Sequence, residues 1–121
     1  MVKVIYYTRP NKRQPAKEWI DAQDSTIQNS IDVMREKLER EDPDLLIDNG
    51  MLVRIREKPG GKIIPGFYEL KKYRWRIAVY YDKRKNVFVM MSGWLKKKNV
   101  QQDDVNKAIS FLREYQATEG R

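Results

Sequence analysis

The sequence predicts an α+β domain ordered β-α-α-β-β-β-α, with helices packed on one face of a mostly antiparallel sheet. Three observations predict it. The β-branched and aromatic run from Val2 to Thr8 reads as a strand. Ile27, Ile31, Met34 and Leu38 recur at i, i+4, i+7 and i+11, one stripe of a 3.6-residue helix. Three alternating strand-like segments then follow one another from Phe67 to Gly93 with very short links. At 121 residues the chain has the length of one domain, residues 1–121, whose tail 117–121 is expected to fray.

Pro10 stops the first strand. Pro15 suits a first helical turn, so Ala16 to Gln23 reads as a short helix presenting Trp19 and Ile20. Asp24 or Ser25 can cap the second helix, and Pro43 ends it. Turn signals crowd the stretch from Asp44 to Gly66, and within it Met51 to Arg56 is either a short strand or an ordered loop. Phe67 to Lys72, Arg74 to Asp82 and Asn86 to Gly93 form the meander. Only Tyr73 separates the first pair, so that turn must borrow residues from its strands. After the basic loop Lys96-Lys97-Lys98-Asn99, a last helix from Gln102 to Gln116 carries Val105, Ala108, Ile109 and Leu112 as its stripe. Asp103 and Asp104 sit favourably in its first turn.

Lys and Arg number 25 against 17 Asp and Glu, a net charge of +8, and a small protein this basic meets polyanions. The chain has no cysteine and no histidine. Disulfides, thiolate or imidazole metal sites and Ser-His-Asp catalysis are therefore excluded, and no cofactor or metal is expected. Any chemistry must use Lys, Arg, Tyr, Ser and carboxylates. No apolar run approaches the ~18 residues of a membrane span, and Met1 to Arg9 lacks the order of a signal peptide, so a cytoplasmic protein is expected.

Period-2 alternation sorts the strand faces. Trp75, Ile77, Val79 and Tyr81 share one side of the middle strand, and Arg74, Arg76, Ala78 and Tyr80 the other. In the last strand Val87, Val89 and Met91 suit the core, with Met90, Ser92 and Trp94 opposite. Lys71, Arg74, Arg76 and Tyr80 beside Trp94, Lys96 and Lys97 would make a cationic and aromatic surface. Phosphates need the cations, and unpaired bases stack on the aromatics. Solvation alone is the plainer reading of any one of these charges, and Glu69 beside Arg76 reads equally as an ordinary cross-strand ion pair.

Gly66-Phe67-Tyr68-Glu69-Leu70-Lys71, then Trp75-Arg76-Ile77-Ala78-Val79-Tyr80-Tyr81, then Val89 to Lys97 with Ser92-Gly93-Trp94-Leu95-Lys96-Lys97, and a closing amphipathic helix resemble the RelE/ParE toxin superfamily, specifically its phage-derived HigB-like branch. The resemblance covers about residues 66–116, and the upstream strand and helices follow the family order. It implies a toxin of a type II toxin-antitoxin system, a ribosome-dependent endoribonuclease (mRNA interferase) that inhibits translation. It also implies partners: mRNA on the ribosome, no membrane, and an adjacently encoded helix-turn-helix antitoxin of HigA type in a toxin-antitoxin heterotetramer. Carried over by position, the resemblance assigns catalysis to Lys71, Arg76, Lys96 and Lys97, and RNA binding to Arg74, Tyr80, Trp94, Lys72 and Lys98. Ser92 stands where many members have His, and the link between Lys71 and Trp75 is shorter than usual.

Such cleavage needs neither His nor metal. The 2′-OH of the RNA attacks the adjacent phosphate, cations stabilise the developing charge, and a lysine crowded by other cations transfers protons near neutral pH. The same basic face would also serve a non-catalytic nucleic-acid or ribosome-binding module, and the superfamily's ParE-like members, which act on DNA gyrase, give a third reading.

Overall fold

A run such as Val87-Phe88-Val89-Met90-Met91 has no polar side, and a strand of that kind belongs in the middle of a sheet. It lies there in the computed structural model, which describes residues 2–97 and 101–119. The strands are β1 (Lys3–Tyr6), β2 (Leu52–Arg56), β3 (Ile63–Lys72), β4 (Trp75–Asp82) and β5 (Val87–Leu95). They form one sheet in the order β1-β5-β4-β3-β2. β1 runs parallel to β5, and every other pair is antiparallel. The α+β class and the meander are as the sequence predicts. Arg74 joins Tyr73 in the turn, so β4 begins one residue later than expected.

Three helices cover one face. They are α1 (Pro15–Asp21), α2 (Ser25–Arg40) and α3 (Pro43–Asp48). Asp24 caps α2, its carboxylate accepting from the Ile27 amide at 3.0 Å. Ile27, Ile31, Met34 and Leu38 are all buried, in a cluster with Leu70, Trp75, Ile77, Val79, Phe88 and Met90 of the sheet. Each such side chain contributes about 1.5–3 kcal/mol on burial. Pro43 ends α2 and also opens α3, with Asp42 capping it through the Asp44 amide at 3.0 Å.

The expectation that all helices share one face is corrected by α4 (Gln102–Glu119), which covers the opposite one. Phe67, Ala78, Val89 and Met91 point to that side and need cover. Ala108, Phe111, Leu112 and Tyr115 of α4 supply it. A break in register sharpens the division. Ala78 faces Ser92 and Val79 faces Met90, so Met91 is an extra residue, and both Phe88 and Met90 belong to the first core while Met91 joins the second. The expected grouping of Met90 with Ser92 and Trp94 is corrected in the same way, because Trp94 joins the α4 core.

The last helix runs to Glu119, past the expected end at Gln116. Its final turn is tied to the β4–β5 turn, where Arg84 donates to the Glu119 carbonyl at 2.8 Å and Lys85 pairs with the Glu119 carboxylate. The final two residues of the expected tail lie outside the described residues. Gly93 explains how α1 sits so close. A Cβ there would lie 2.4 Å from Cε3 of Trp19, so the indole packs directly on bare backbone.

Candidate nucleic-acid interface

The antiparallel register sets Lys71 opposite Arg76, and Arg76 opposite Trp94, in one row across β3, β4 and β5. Glu69 faces Ala78, and Ala78 faces Ser92, in the row beside it. Directly paired residues share a face, so Glu69, Lys71, Arg76, Ser92 and Trp94 all belong to the α4 side of the sheet. The Lys96 amide donates to the Arg74 carbonyl at 2.6 Å, which brings Lys96 against the β3–β4 turn. Lys71, Arg74, Lys96 and Lys97 are exposed around this end of the sheet, and Lys97 pairs with Asp104 of α4 at 3.3 Å.

Arg76 is not the exposed strand arginine that alternation suggests; it is only 8 % exposed. Its Nη1 donates to the carbonyls of Tyr73 and Trp75 at 3.0 and 2.8 Å, and its Nε lies 3.7 Å from Glu69 Oε2. Nη2 makes no hydrogen bond among the described residues. The guanidinium therefore locks the hairpin turn while one edge stays uncommitted. Burial pushes the Glu69 carboxyl above its ordinary range, against the opposing pull of Arg76 and Lys71. Glu69 also lines a groove of about 210 Å³ between β2 and the start of α4, with Val53, Lys58, Gln102 and Val105.

The exposed aromatic surface expected from Trp94 and Tyr80 is corrected as well. Trp94 is 3 % exposed, and its Nε1 donates to Gln101 Oε1 at 2.7 Å. Gln101 in turn donates to the Lys97 carbonyl at 3.2 Å. Tyr80 lies four residues along β4 from Arg76, roughly 13 Å away at strand spacing. It is half-buried against Tyr115, with ring centroids 5.9 Å apart. Lys72 pairs with Trp75 and so belongs to the other face, with its Nζ 5.4 Å from the Tyr73 ring. Lys98 lies outside the described residues.

The fold thus gathers Lys71, Arg76 and Lys96 with Arg74 at one end of the sheet and leaves Tyr80 apart. Two residues outside the sequence assignment enter the cluster. Glu69 was legible only as an ion-pair partner, although alternation already put it beside Lys71. Ser92 is 7 % exposed, and its Oγ is buried without a hydrogen-bond partner, which no local sequence signal reveals. Among the described residues no group of His, Cys, Asp or Glu could hold a metal ion, and no helix is long and apolar enough to cross a membrane.

No family model matches the sequence, and no curated protein matches it. Among solved structures, the chain is similar to one in the crystal structure of the toxin-antitoxin complex RelBE2 from Mycobacterium tuberculosis. The TM-score is 0.53 at 13% sequence identity, over 79% of this chain and 94% of that chain. The five-stranded, mostly antiparallel sheet with its helices is the RelE-like toxin fold.

Proposed function

We propose that the chain is the toxin of a type II toxin-antitoxin system, an endoribonuclease that cleaves mRNA on the ribosome and so inhibits translation. The observation that carries this reading is the pairing of Lys71 with the buried Arg76 beside the half-buried Glu69, rimmed by Arg74, Lys96 and Lys97. A buried guanidinium and a half-buried carboxylate within a cationic rim suit a reacting phosphodiester better than they suit solvation alone. Similarity to a chain of a toxin-antitoxin complex supports the same reading.

In the reaction the 2′-oxygen bonds to the adjacent phosphorus, the bond from phosphorus to the 5′-oxygen breaks, and a 2′,3′-cyclic phosphate and a 5′-hydroxyl result. Glu69, whose carboxylate burial makes more basic, accepts the 2′-OH proton. Arg76 holds a phosphate oxygen through the edge its backbone bonds leave over. Because those bonds fix the guanidinium in advance, no reorganisation is needed as charge develops. Lys71 or Lys96 delivers a proton to the departing 5′-oxygen. The steps require no metal.

The partner is an adjacently encoded helix-turn-helix antitoxin of HigA type, in a heterotetramer, placing an acidic segment across the cationic rim. A +8 chain steers such a segment, and its binding weakens as salt rises. The phage-derived HigB-like branch and a cytoplasmic location belong to the same reading. The test is induced expression. Growth arrest relieved by the neighbouring gene product, with mRNAs cut inside translated frames, is expected. Arrest with intact mRNA and trapped gyrase, or no arrest at all, would overturn the nuclease reading.

A further inference from the structure

Every aromatic residue of the chain lies in the described part, and Tyr73 alone is exposed, at 78 %. It occupies the tip of the β3–β4 hairpin with a backbone φ of 52°, a left-handed conformation that suits glycine or asparagine and that a bulky side chain adopts at a cost. The ring repays nothing in core packing. Strain retained at an exposed aromatic points to a use outside the fold.

The surroundings indicate which use. Arg76 Nη1 donates to the Tyr73 carbonyl at 3.0 Å, and the Lys96 amide to the Arg74 carbonyl at 2.6 Å. The tip is therefore braced by the residues that surround the proposed scissile phosphate. Lys72 and Arg74 flank the ring in sequence, with the Lys72 ammonium 5.4 Å from its centroid. On the α2 side, Tyr73 and Arg74 border a groove of about 190 Å³ with Thr26, Ile27, Ser30, Trp75 and the α2-capping Asp24, whose carboxylate accepts from the Ile27 amide. An exposed aromatic ring, a partly apolar groove, a cation at the ring and a second next to it in sequence are what an unpaired nucleotide takes: base on the ring, phosphates on the cations.

We infer that Tyr73 is a stacking platform for an unpaired RNA base next to the nucleotide whose phosphate lies at Lys71 and Arg76. The inference rests on the nuclease reading and adds the residue that seats the RNA. The experiment compares Tyr73→Gly, Tyr73→Phe and Tyr73→Trp with the unaltered protein in a translating extract. It measures the toxin concentration needed for half-maximal mRNA cleavage, together with melting curves. Loss of one base–aromatic stack is on the order of tenfold or more in that concentration for Tyr73→Gly, while Tyr73→Phe and Tyr73→Trp stay near the original value. Tyr73→Gly melts at or above the unaltered protein, because glycine relieves the positive φ. Unchanged cleavage by Tyr73→Gly would overturn the inference and leave the nuclease reading standing. So would an equal loss in Tyr73→Trp, which would mark a protein contact rather than a stack, or a lowered melting temperature accompanying the loss. An unaltered protein that cuts no RNA would overturn both readings.

Discussion

Replacing Arg76 with alanine tests structure and chemistry together. The truncation removes two charge-assisted bonds, at 3.0 Å to the Tyr73 carbonyl and 2.8 Å to the Trp75 carbonyl, and leaves Glu69 without the charge 3.7 Å away. A hydrogen bond to a charged group contributes about 1.5–3 kcal/mol. The Tyr73 carbonyl stands at an exposed turn and recovers part of its loss from water, whereas the bond to Trp75 is buried. The 3.7 Å approach to Glu69 is beyond hydrogen-bond range and adds little. The expected cost is about 2–4 kcal/mol, a fall of roughly 10 °C in melting temperature for a domain of this size. Cleavage, assayed well below that melting temperature on protein with a native circular-dichroism spectrum, should fall by about 10²-fold or more, the scale of deleting one preorganised charge-stabilising donor. Arg76→Lys retains the charge but lacks the planar fork that bonds the turn through Nη1 while leaving a second nitrogen free, and should recover part of each loss. An Arg76→Ala protein that melts like the original and cleaves at full rate would refute both the brace and the phosphate role.

Glu69→Gln should separate the two further. The carboxyl is raised above its ordinary range by burial, so its ionised form opposes folding at neutral pH; the variant should melt at or above the original while cleavage drops about 10²-fold or more, read by melting curves and the same extract assay. Gly93→Ala sets a methyl 2.4 Å from the Trp19 ring and should destabilise by about 1–3 kcal/mol in denaturant titration. Glu114 is held below its usual range by Arg9 and then by the Tyr7 hydroxyl, which tie α4 to the segment that follows β1. Its stabilisation is complete above the ordinary glutamate value of about 4.3 and lost as pH falls through the lowered one. Thermal melts across the acidic range should show a loss that Glu114→Gln no longer displays.

Elements with an intact period were legible in the sequence. The α2 stripe needed only its own spacing, and the β3, β4 and β5 meander needed only short links between alternating runs. What depends on distant chain was not. α3 stayed hidden because Pro43 reads equally as the end of α2 and the first residue of a new helix. The parallel pairing of β1 with β5 leaves no local mark. A stripe such as Val105, Ala108, Ile109 and Leu112 says that α4 must bury a side, not which face of the sheet receives it. That one choice decides the site. With α4 over Ala78, Val89 and Met91, the open aromatic sheet face disappears, Trp94 becomes core, and Lys71, Arg74, Lys96 and Lys97 stay exposed around the hairpin end. Alternation correctly grouped Glu69, Lys71 and Arg76. Alternation cannot report that Arg76 folds back onto its own turn, which depends on two carbonyls placed by the hairpin.

On the proposed reading, the Glu69, Lys71 and Arg76 cluster cuts mRNA held on the ribosome. The most direct measurement gives the purified protein one message in two states, naked and loaded on programmed ribosomes, and maps the 5′ ends produced. Cuts with 5′-hydroxyl ends are expected inside the translated frame of the loaded message, and none when Glu69→Gln replaces the original protein. Equal cutting of the naked message, or cuts that persist in Glu69→Gln, would contradict it.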